Sequence, residues 1–203
     1  MKQSNTEILS TKAKLLDAAL EFFSTKGYDS TTVDEIAESI GMKGPIIYNY
    51  FSGKEDILNT LNQGLTADYE SNMKFGEQSL VFIHNGAELK EFTMYQVNYT
   101  ISNDHITKYR RLGTINQFRN KETAQKTTHF QFDNIINLFE RVFAYMKQNE
   151  AIGNVDPRLM ALEFTSPTSL LIQLIDREPE RKDEVMKLIE DHVDFFIATH
   201  CKK

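Results

Sequence analysis

Few residues in this sequence have the types and spacing that metal binding or catalysis requires. The chain has five histidines: His84, His105, His129, His192 and His200. No two of them lie four residues apart on a helix, as a helical zinc site requires. The single cysteine, Cys201, excludes a site built on paired thiolates and a disulfide within the chain. No Glu-x-x-His occurs and no Ser/His/Asp set has recognisable local context, so we predict neither an enzyme nor a bound metal or cofactor.

Three short helices at the amino end can position residues for another kind of chemistry, recognition of a surface. Apolar residues recur at three- and four-residue spacing over 10–25, and Gly27 follows as a stop. The run Thr32-Val33-Asp34-Glu35 has the pattern of a capping box and starts a second helix that ends at Gly41. Pro45 suits the first turn of a third helix, so the layout across Gly41 is that of a helix-turn-helix.

The third helix is predicted to project a polar and aromatic ridge of a size that fits the major groove of DNA. Its members are Gly44, Ile46, Tyr48, Asn49 and Tyr50. Asn49 has the groups to pair with an adenine edge, and Ile46 can pack on a thymine methyl. The alternative is that Tyr48 and Tyr50 are partly buried helix aromatics.

The net charge of the chain does not by itself favour nucleic-acid binding. It is -6 at pH 7, and the isoelectric point is about 5.4. Residues 1–60 contain six Lys and nine Asp or Glu, which leaves this part acidic as well. Binding to DNA must therefore depend on the local arrangement of a few residues rather than on a basic surface.

The first 60 residues contain a series of short motifs in a fixed order: Ala18-Ala19-Leu20-Glu21-Phe22-Phe23, Lys26-Gly27-Tyr28, Thr31-Thr32-Val33, Ile36-Ala37, Gly41 and Ile47-Tyr48-Asn49-Tyr50-Phe51-x-x-Lys54-Glu55-Asp56-Ile57-Leu58. In order and spacing they resemble the DNA-binding domain of the TetR (tetracycline repressor) family of transcriptional regulators. The resemblance implies that Thr32, Tyr48 and Lys54 contact phosphates. Lys43 stands where many family members carry a small hydroxyl residue, and we expect it to add one such contact. Lys54-Glu55-Asp56 is equally a good helix start on propensity alone. Asp34 departs from the family, since many members carry a basic residue there.

Amphipathic helical segments are predicted for the rest of the chain, at 87–101, 104–119, 122–149, 157–176 and 181–199, after a helix from Lys54 toward residue 72. Pro167 should kink the fourth of these five segments. The predicted fold is all-α: an N-terminal three-helix helix-turn-helix domain, residues 1–53, joined to a larger helical ligand-binding and dimerisation domain, residues 54–203.

The resemblance implies that the second domain holds an inducer pocket and a dimer interface. Aromatic residues and a histidine are candidates to line the pocket: Phe92, Tyr95, Tyr99, Phe118, His129, Phe130 and Phe139. Such a lining favours a largely apolar or aromatic small molecule. The alternative is that these residues form a packed core. The apolar faces of the last two helices are compatible with a homodimer, although packing within one subunit produces the same pattern.

The sequence thus predicts a ligand-responsive transcriptional regulator, which the resemblance favours as a repressor, that binds a near-palindromic DNA operator as a homodimer. The alternative is an all-helical small-molecule-binding or adaptor protein without DNA binding. The amino end lacks the apolar stretch of a signal peptide, and no run of 18 apolar residues occurs. We therefore expect a cytoplasmic protein with no membrane partner.

Overall fold

The structure is a computed structural model that describes residues 5–64 and 83–202 of the chain. The α-helices are α1 (Asn5–Lys26), α2 (Val33–Ser39), α3 (54–64), α4 (Gly86–Ser102), α5 (Asp104–Asn116), α6 (Lys121–Thr128), α7 (Asn134–Gln148), α8 (Pro157–Arg177) and α9 (Lys182–His200). Within these ranges the β pairing is confined to one isolated bridge, between Ile152 and Cys201. The all-α prediction is confirmed.

The helices differ from the predicted ones in a few places. The segment Gly44–Asn49 is a 3₁₀ helix rather than an α-helix. The segment predicted at 122–149 is divided by a π-helical turn, His129–Asp133, between α6 and α7. α8 continues through Pro167. The end of the helix predicted to run toward residue 72 lies outside the described residues. Over the described residues, none of the helices has the length and hydropathy needed to cross a bilayer.

Contacts within the chain divide it into two compact units. The first comprises Met1–Ser71 and Lys108–Ala124, and the second comprises Asn72–Thr107 and Gln125–Lys203. The first unit therefore takes in α3 and most of α5, which the sequence-based boundary at residue 53 assigned to the second domain. Burial gives the reason, because Ile57 and Leu61 of α3 and Leu112 of α5 belong to the same apolar core as α1.

The core of the first unit holds α2 and the 3₁₀ helix against α1. Its members are Leu15, Ala19, Leu20, Phe23, Tyr28, Ile36, Ala37, Ile47, Phe51, Ile57, Leu61 and Leu112. Ile36 of α2 and Ile47 of the 3₁₀ helix are both fully buried. Burying a side chain of this size contributes roughly 1.5–3 kcal/mol, so these contacts fix the orientation of both helices.

The core of the second unit is built around four phenylalanines of α7, α8 and α9. They are Phe139, Phe143, Phe164 and Phe196. The ring of Phe164 lies 4.6 Å from that of Phe196 and 5.1 Å from that of Phe139, measured between centroids. Aromatic rings at such tilted, close separations stabilise each other beyond the burial of their surface.

Candidate nucleic-acid interface

The amino end of α2 is closed by the capping box that the sequence predicts. The backbone N–H of Glu35 donates to Thr32 Oγ1 at 3.2 Å. In return, the Thr32 N–H donates to Glu35 Oε2 at 2.8 Å, and the Thr32 hydroxyl donates to the same oxygen at 2.9 Å. The backbone N–H and the hydroxyl of Thr32 are thus both hydrogen-bonded within the protein. The contact of Thr32 with phosphate stays a prediction.

The carboxylate of Glu35 is held in its charged form by its neighbours. Lys26 Nζ donates to Glu35 Oε1 at 2.6 Å, and this hydrogen bond is the largest cause that lowers the pKa of Glu35 to about 2. The hydrogen bonds from Thr32 lower it further. The capping box therefore keeps its negative acceptor throughout the neutral pH range.

A tight turn joins α2 to the 3₁₀ helix. Gly41 has φ of 76°, a left-handed conformation that glycine adopts without steric cost. Its N–H donates to the Glu38 carbonyl at 2.9 Å, and the Met42 N–H donates to the Ala37 carbonyl at 2.9 Å, which closes the end of α2. The chain then runs extended at Lys43 and enters the 3₁₀ helix at Gly44 and Pro45.

The 3₁₀ helix presents one face to the solvent and buries the other. Tyr48 is 60% exposed and Ile46 is 39% exposed, and Asn49 is exposed beside them. Ile47 is fully buried between them and anchors the segment in the core. Tyr50 is half-buried and packs against the same core. The geometry gives a short ridge whose exposed members are Ile46, Tyr48 and Asn49, with the exposed Lys43 directly before it.

The expectation that Gly44 projects outward with this ridge is wrong, because Gly44 is buried. The side chain of Asp34, in the first turn of α2, lies directly over its Cα, so that a Cβ built on Gly44 would overlap the Asp34 carboxylate. The absence of a side chain at Gly44 is what allows the first turn of α2 and the start of the 3₁₀ helix to approach so closely. Asp34 therefore faces the 3₁₀ helix across this contact.

Gly44→Ala is expected to lower the free energy of unfolding, and to lower it by less when Asp34 is also replaced by alanine. In the wild-type background the new methyl group displaces the Asp34 side chain, whereas in Asp34→Ala the space is free. A double-mutant cycle by urea unfolding should give a coupling free energy of roughly 0.5–3 kcal/mol that favours the double variant. Gly53→Ala, where a Cβ meets nothing within 4 Å, is the control and should show no coupling to Asp34. Additive effects at Gly44 and Asp34 would contradict this contact.

Lys54, the first residue of α3, points into the protein. Its ammonium donates to the carbonyl oxygens of Tyr28 and Thr31, each at 2.8 Å, and to that of Asp29 at 3.4 Å. The same nitrogen lies 4.4 Å from the centroid of the Tyr28 ring. The contact of Lys54 with phosphate is a prediction that its surroundings do not favour.

Sequence reasoning missed a residue that completes this arrangement, Arg119. Its Nε lies 3.2 Å from Asp29 Oδ1, and its guanidinium carbon lies 4.2 Å from the centroid of the Tyr28 ring. Arg119 follows α5 and belongs to the first unit. No local pattern signals such a contact, because the partners are 90 residues apart in the chain.

The residues predicted to line an inducer pocket are only partly brought together. Phe92 and Phe139 are buried, with ring centroids 5.9 Å apart in the core of the second unit. Tyr99 and Phe130 are half-buried, whereas Tyr95 is 54% exposed. His129 is exposed, and its Nδ1 lies 3.9 Å from Asp133 Oδ2.

Phe118 is separate from these residues. It is 89% exposed and belongs to the first unit. The other six candidates belong to the second unit. The place of Phe118 in the lining stays a prediction.

Comparisons with known proteins agree with this architecture. The sequence profile of the tetR family of bacterial regulatory proteins matches residues 15–61. IcaR of Staphylococcus aureus, the negative transcriptional regulator of the icaADBC biofilm operon, is 30% identical over 149 residues, which cover 63% of this chain and 79% of IcaR.

Solved structures of two repressors have the same fold over more than nine tenths of each chain. SmeT, the repressor of the SmeDEF multidrug efflux pump of Stenotrophomonas maltophilia, is 19% identical with a TM-score of 0.63, over 97% of this chain and 93% of SmeT. NalD, the secondary repressor of the MexAB-OprM multidrug efflux pump of Pseudomonas aeruginosa, is also 19% identical, with a TM-score of 0.64, over 98% of this chain and 100% of NalD.

This chain belongs to the tetR family of bacterial regulatory proteins. It is a DNA-binding transcriptional regulator and not an enzyme, as the sequence predicts. Membership of the family also decides against the alternative of an all-helical adaptor without DNA binding.

Proposed function

We propose that this protein is a repressor that binds a near-palindromic operator as a homodimer and is released by a small, largely apolar or aromatic inducer. The observation that carries the proposal is the ridge of Ile46, Tyr48 and Asn49, which is exposed while the intervening Ile47 is fully buried. A helix that enters the major groove needs exposed side chains on one face and a buried face that fixes its orientation.

Each exposed side chain of the ridge has a role that follows from its chemistry. The Asn49 amide pairs with an adenine edge, since it offers a donor and an acceptor side by side. The Ile46 side chain packs on a thymine methyl. Lys43 and the hydroxyl of Tyr48 contact phosphates, and the half-buried Tyr50 flanks them. The acidic charge of the chain as a whole makes these local contacts more important, because no long-range attraction assists them.

The homodimer is proposed to form through α8 and α9. Large apolar side chains of these two helices are exposed in the single chain: Leu159, Leu162, Leu170, Leu188 and Phe195. Phe195 is 71% exposed and Leu159 is 66% exposed, and together these five side chains offer apolar surface that a second copy of the chain can bury. A two-fold dimer supplies two copies of the ridge for a near-palindromic operator, whose half-site centres are expected about 34–36 Å apart.

The inducer is proposed to bind in the second unit, next to Phe92, Tyr95, Tyr99 and Phe139. SmeT forms a complex with triclosan, which shows that a protein of this fold holds a small molecule. Binding of an inducer that prefers one conformation weakens operator binding, and the operator weakens inducer binding by the same factor. A coupling of about 1–3 kcal/mol changes operator affinity by roughly 5–150-fold.

Selection of binding sites from a pool of random DNA duplexes tests the proposal. We expect an enriched near-palindrome whose affinity falls as salt rises. With that duplex, Asn49→Ala should relax the preference at one base position, at a cost of about 1–3 kcal/mol. Lys43→Ala should weaken binding to all duplexes alike and reduce the salt slope by about 1 for each phosphate that the lysine binds.

Lys202→Ala removes one exposed charge near the end of the chain and serves as the control, with affinity and salt slope expected to match the wild type. Failure to enrich any duplex at low salt would overturn the proposal. Enrichment that survives in a triple Ile46→Ala, Tyr48→Ala, Asn49→Ala variant would show that the ridge is not the reading surface.

A further inference from the structure

The turn before α2 is enclosed by two cationic side chains. It begins at Gly27, which has φ of 87°, and ends at Thr32, the cap of α2. Lys54 and Arg119 lie over the ring of Tyr28, at 4.4 Å and 4.2 Å from its centroid. Tyr28 is itself only 6% exposed and packs against Phe23, with the ring centroids 5.2 Å apart. All of these residues belong to the first unit.

The side chain of Lys54 connects the two ends of this turn by binding to backbone carbonyls of the turn. A lysine ammonium has three donors and no acceptor. The oxygens it reaches at 2.8 Å belong to Tyr28, at the start of the turn, and to Thr31, next to the cap. A third oxygen, of Asp29, lies between them at 3.4 Å. The ammonium thus has an acceptor within the protein for each of its donors.

The start of α3 holds Lys54 in place for this contact. Asp56 Oδ2 accepts from the Ser52 N–H at 2.8 Å and from the Ser52 hydroxyl at 3.2 Å, which ties the residues just before α3 to its first turn. Ile57, one turn further on, is fully buried in the core. The backbone of Lys54 is therefore held in place by the first turn of α3.

Other bonds of the turn depend on the same backbone. The Thr31 N–H donates to the Tyr28 carbonyl at 3.2 Å, and the Thr31 hydroxyl donates to the Gly27 carbonyl at 2.9 Å. Thr31 is 1% exposed. If the ammonium left for a phosphate, the carbonyls of Tyr28 and Thr31 would be deprived of a charged donor in a largely buried setting, which is unfavourable.

We propose that Lys54 is a positioning residue for DNA binding, which fixes the turn 27–32 and thereby the start of α2, and that it does not contact phosphate. The inference rests on the proposed function, because it concerns how the ridge is placed on DNA. α2 packs on the 3₁₀ helix, so a shift at Thr32 moves the ridge. Arg119 supports the same turn from the segment after α5, through Tyr28 and Asp29.

Lys54→Met and Lys43→Met are the matched pair that tests this role. A phosphate contact contributes about 0.9 to the slope of log K against log salt for each lysine, or roughly 1.8 for a dimer. We expect Lys43→Met to reduce the slope by this amount. Lys54→Met should lower affinity for the selected duplex at least tenfold at every salt concentration while leaving the slope at the wild-type value.

Hydrogen exchange of the free protein gives a readout that does not involve DNA. In Lys54→Met the amides of Thr31 and Glu35 should exchange at least tenfold faster than in the wild type, because the first lies in the turn and the second in the capping box. In Lys43→Met the same amides should exchange at the wild-type rate. This measurement stands even if no duplex is selected, so failure of the proposed function is distinguishable from failure of the positioning role.

Lys54→Arg keeps the positive charge but replaces the compact ammonium, and it serves if Lys54→Met does not fold. A positioning role predicts that Lys54→Arg also binds more weakly and exchanges faster at Thr31, since a planar guanidinium does not match three converging carbonyls. A salt slope reduced as in Lys43→Met, or wild-type exchange at Thr31 and Glu35 in both Lys54 variants, would overturn the proposal.

Discussion

Replacing Phe195 with aspartate is expected to convert the proposed dimer into monomers while leaving each subunit folded. Phe195 is the most exposed of the large apolar side chains on α8 and α9 in the single chain. A central aromatic residue of an interface costs about 2 kcal/mol or more when it is removed. A carboxylate also places two like charges near a two-fold axis. We therefore expect the dimer dissociation constant to rise at least about 30-fold.

Sedimentation velocity at several protein concentrations measures this change directly. Phe118→Asp is the matched control, because it replaces an even more exposed phenylalanine, 89%, that lies outside α8 and α9. The control should remain a dimer. Monomers should bind a duplex with two half-sites no more tightly than a duplex with one. A Phe195→Asp protein that sediments as a stable dimer would place the interface on another surface.

Phe164→Ala is expected to cost about 3–5 kcal/mol of unfolding free energy. Phe164 is 1% exposed and lies within 5.5 Å of the rings of Phe139, Phe143 and Phe196, measured between centroids. Its carbonyl also lies 2.9 Å from His192 Nε2. Truncation removes the ring on which the three helices converge, so the cost includes the cavity left behind.

Urea unfolding at a single protein concentration measures this cost, because the stability of a dimer depends on concentration. Phe132→Ala is the control in the same unit, since Phe132 is 48% exposed. Its effect should stay below about 1 kcal/mol, as is usual for surface positions. A cost below about 1 kcal/mol for Phe164→Ala as well would show that the aromatic cluster is loosely packed and leave more room for a ligand there.

Local patterns of the sequence predicted the helix-turn-helix part of the first unit well. The capping box of Thr32 and Glu35 and the turn at Gly41 each follow from residues within a few positions of one another. Such signals are strong because the groups that satisfy them are near in the chain. The burial of Gly44 was not predictable, because it depends on where the Asp34 side chain lies after α2 has packed.

Contacts between distant positions explain the remaining differences. Lys54 has the same type and spacing whether it binds phosphate or carbonyls, and only the fold shows that the carbonyls of Tyr28 and Thr31 lie within 2.8 Å. The aromatic spacing of Phe92 and Phe139 likewise suits a pocket or a core, and only the fold shows that both rings are buried with their centroids 5.9 Å apart.

The use of residues 108–124 in the first unit has a consequence for synthesis of the protein. Leu112 completes the apolar core, and the Tyr109 hydroxyl donates to Asn62 at 2.8 Å. Neither group exists when the first 64 residues leave the ribosome. Translation of the next 50 or so residues takes roughly 3–10 s at about 5–20 residues per second. During that interval the part of the apolar core that Leu112 covers stays exposed. The first unit reaches its final packing only after the α5 segment has emerged.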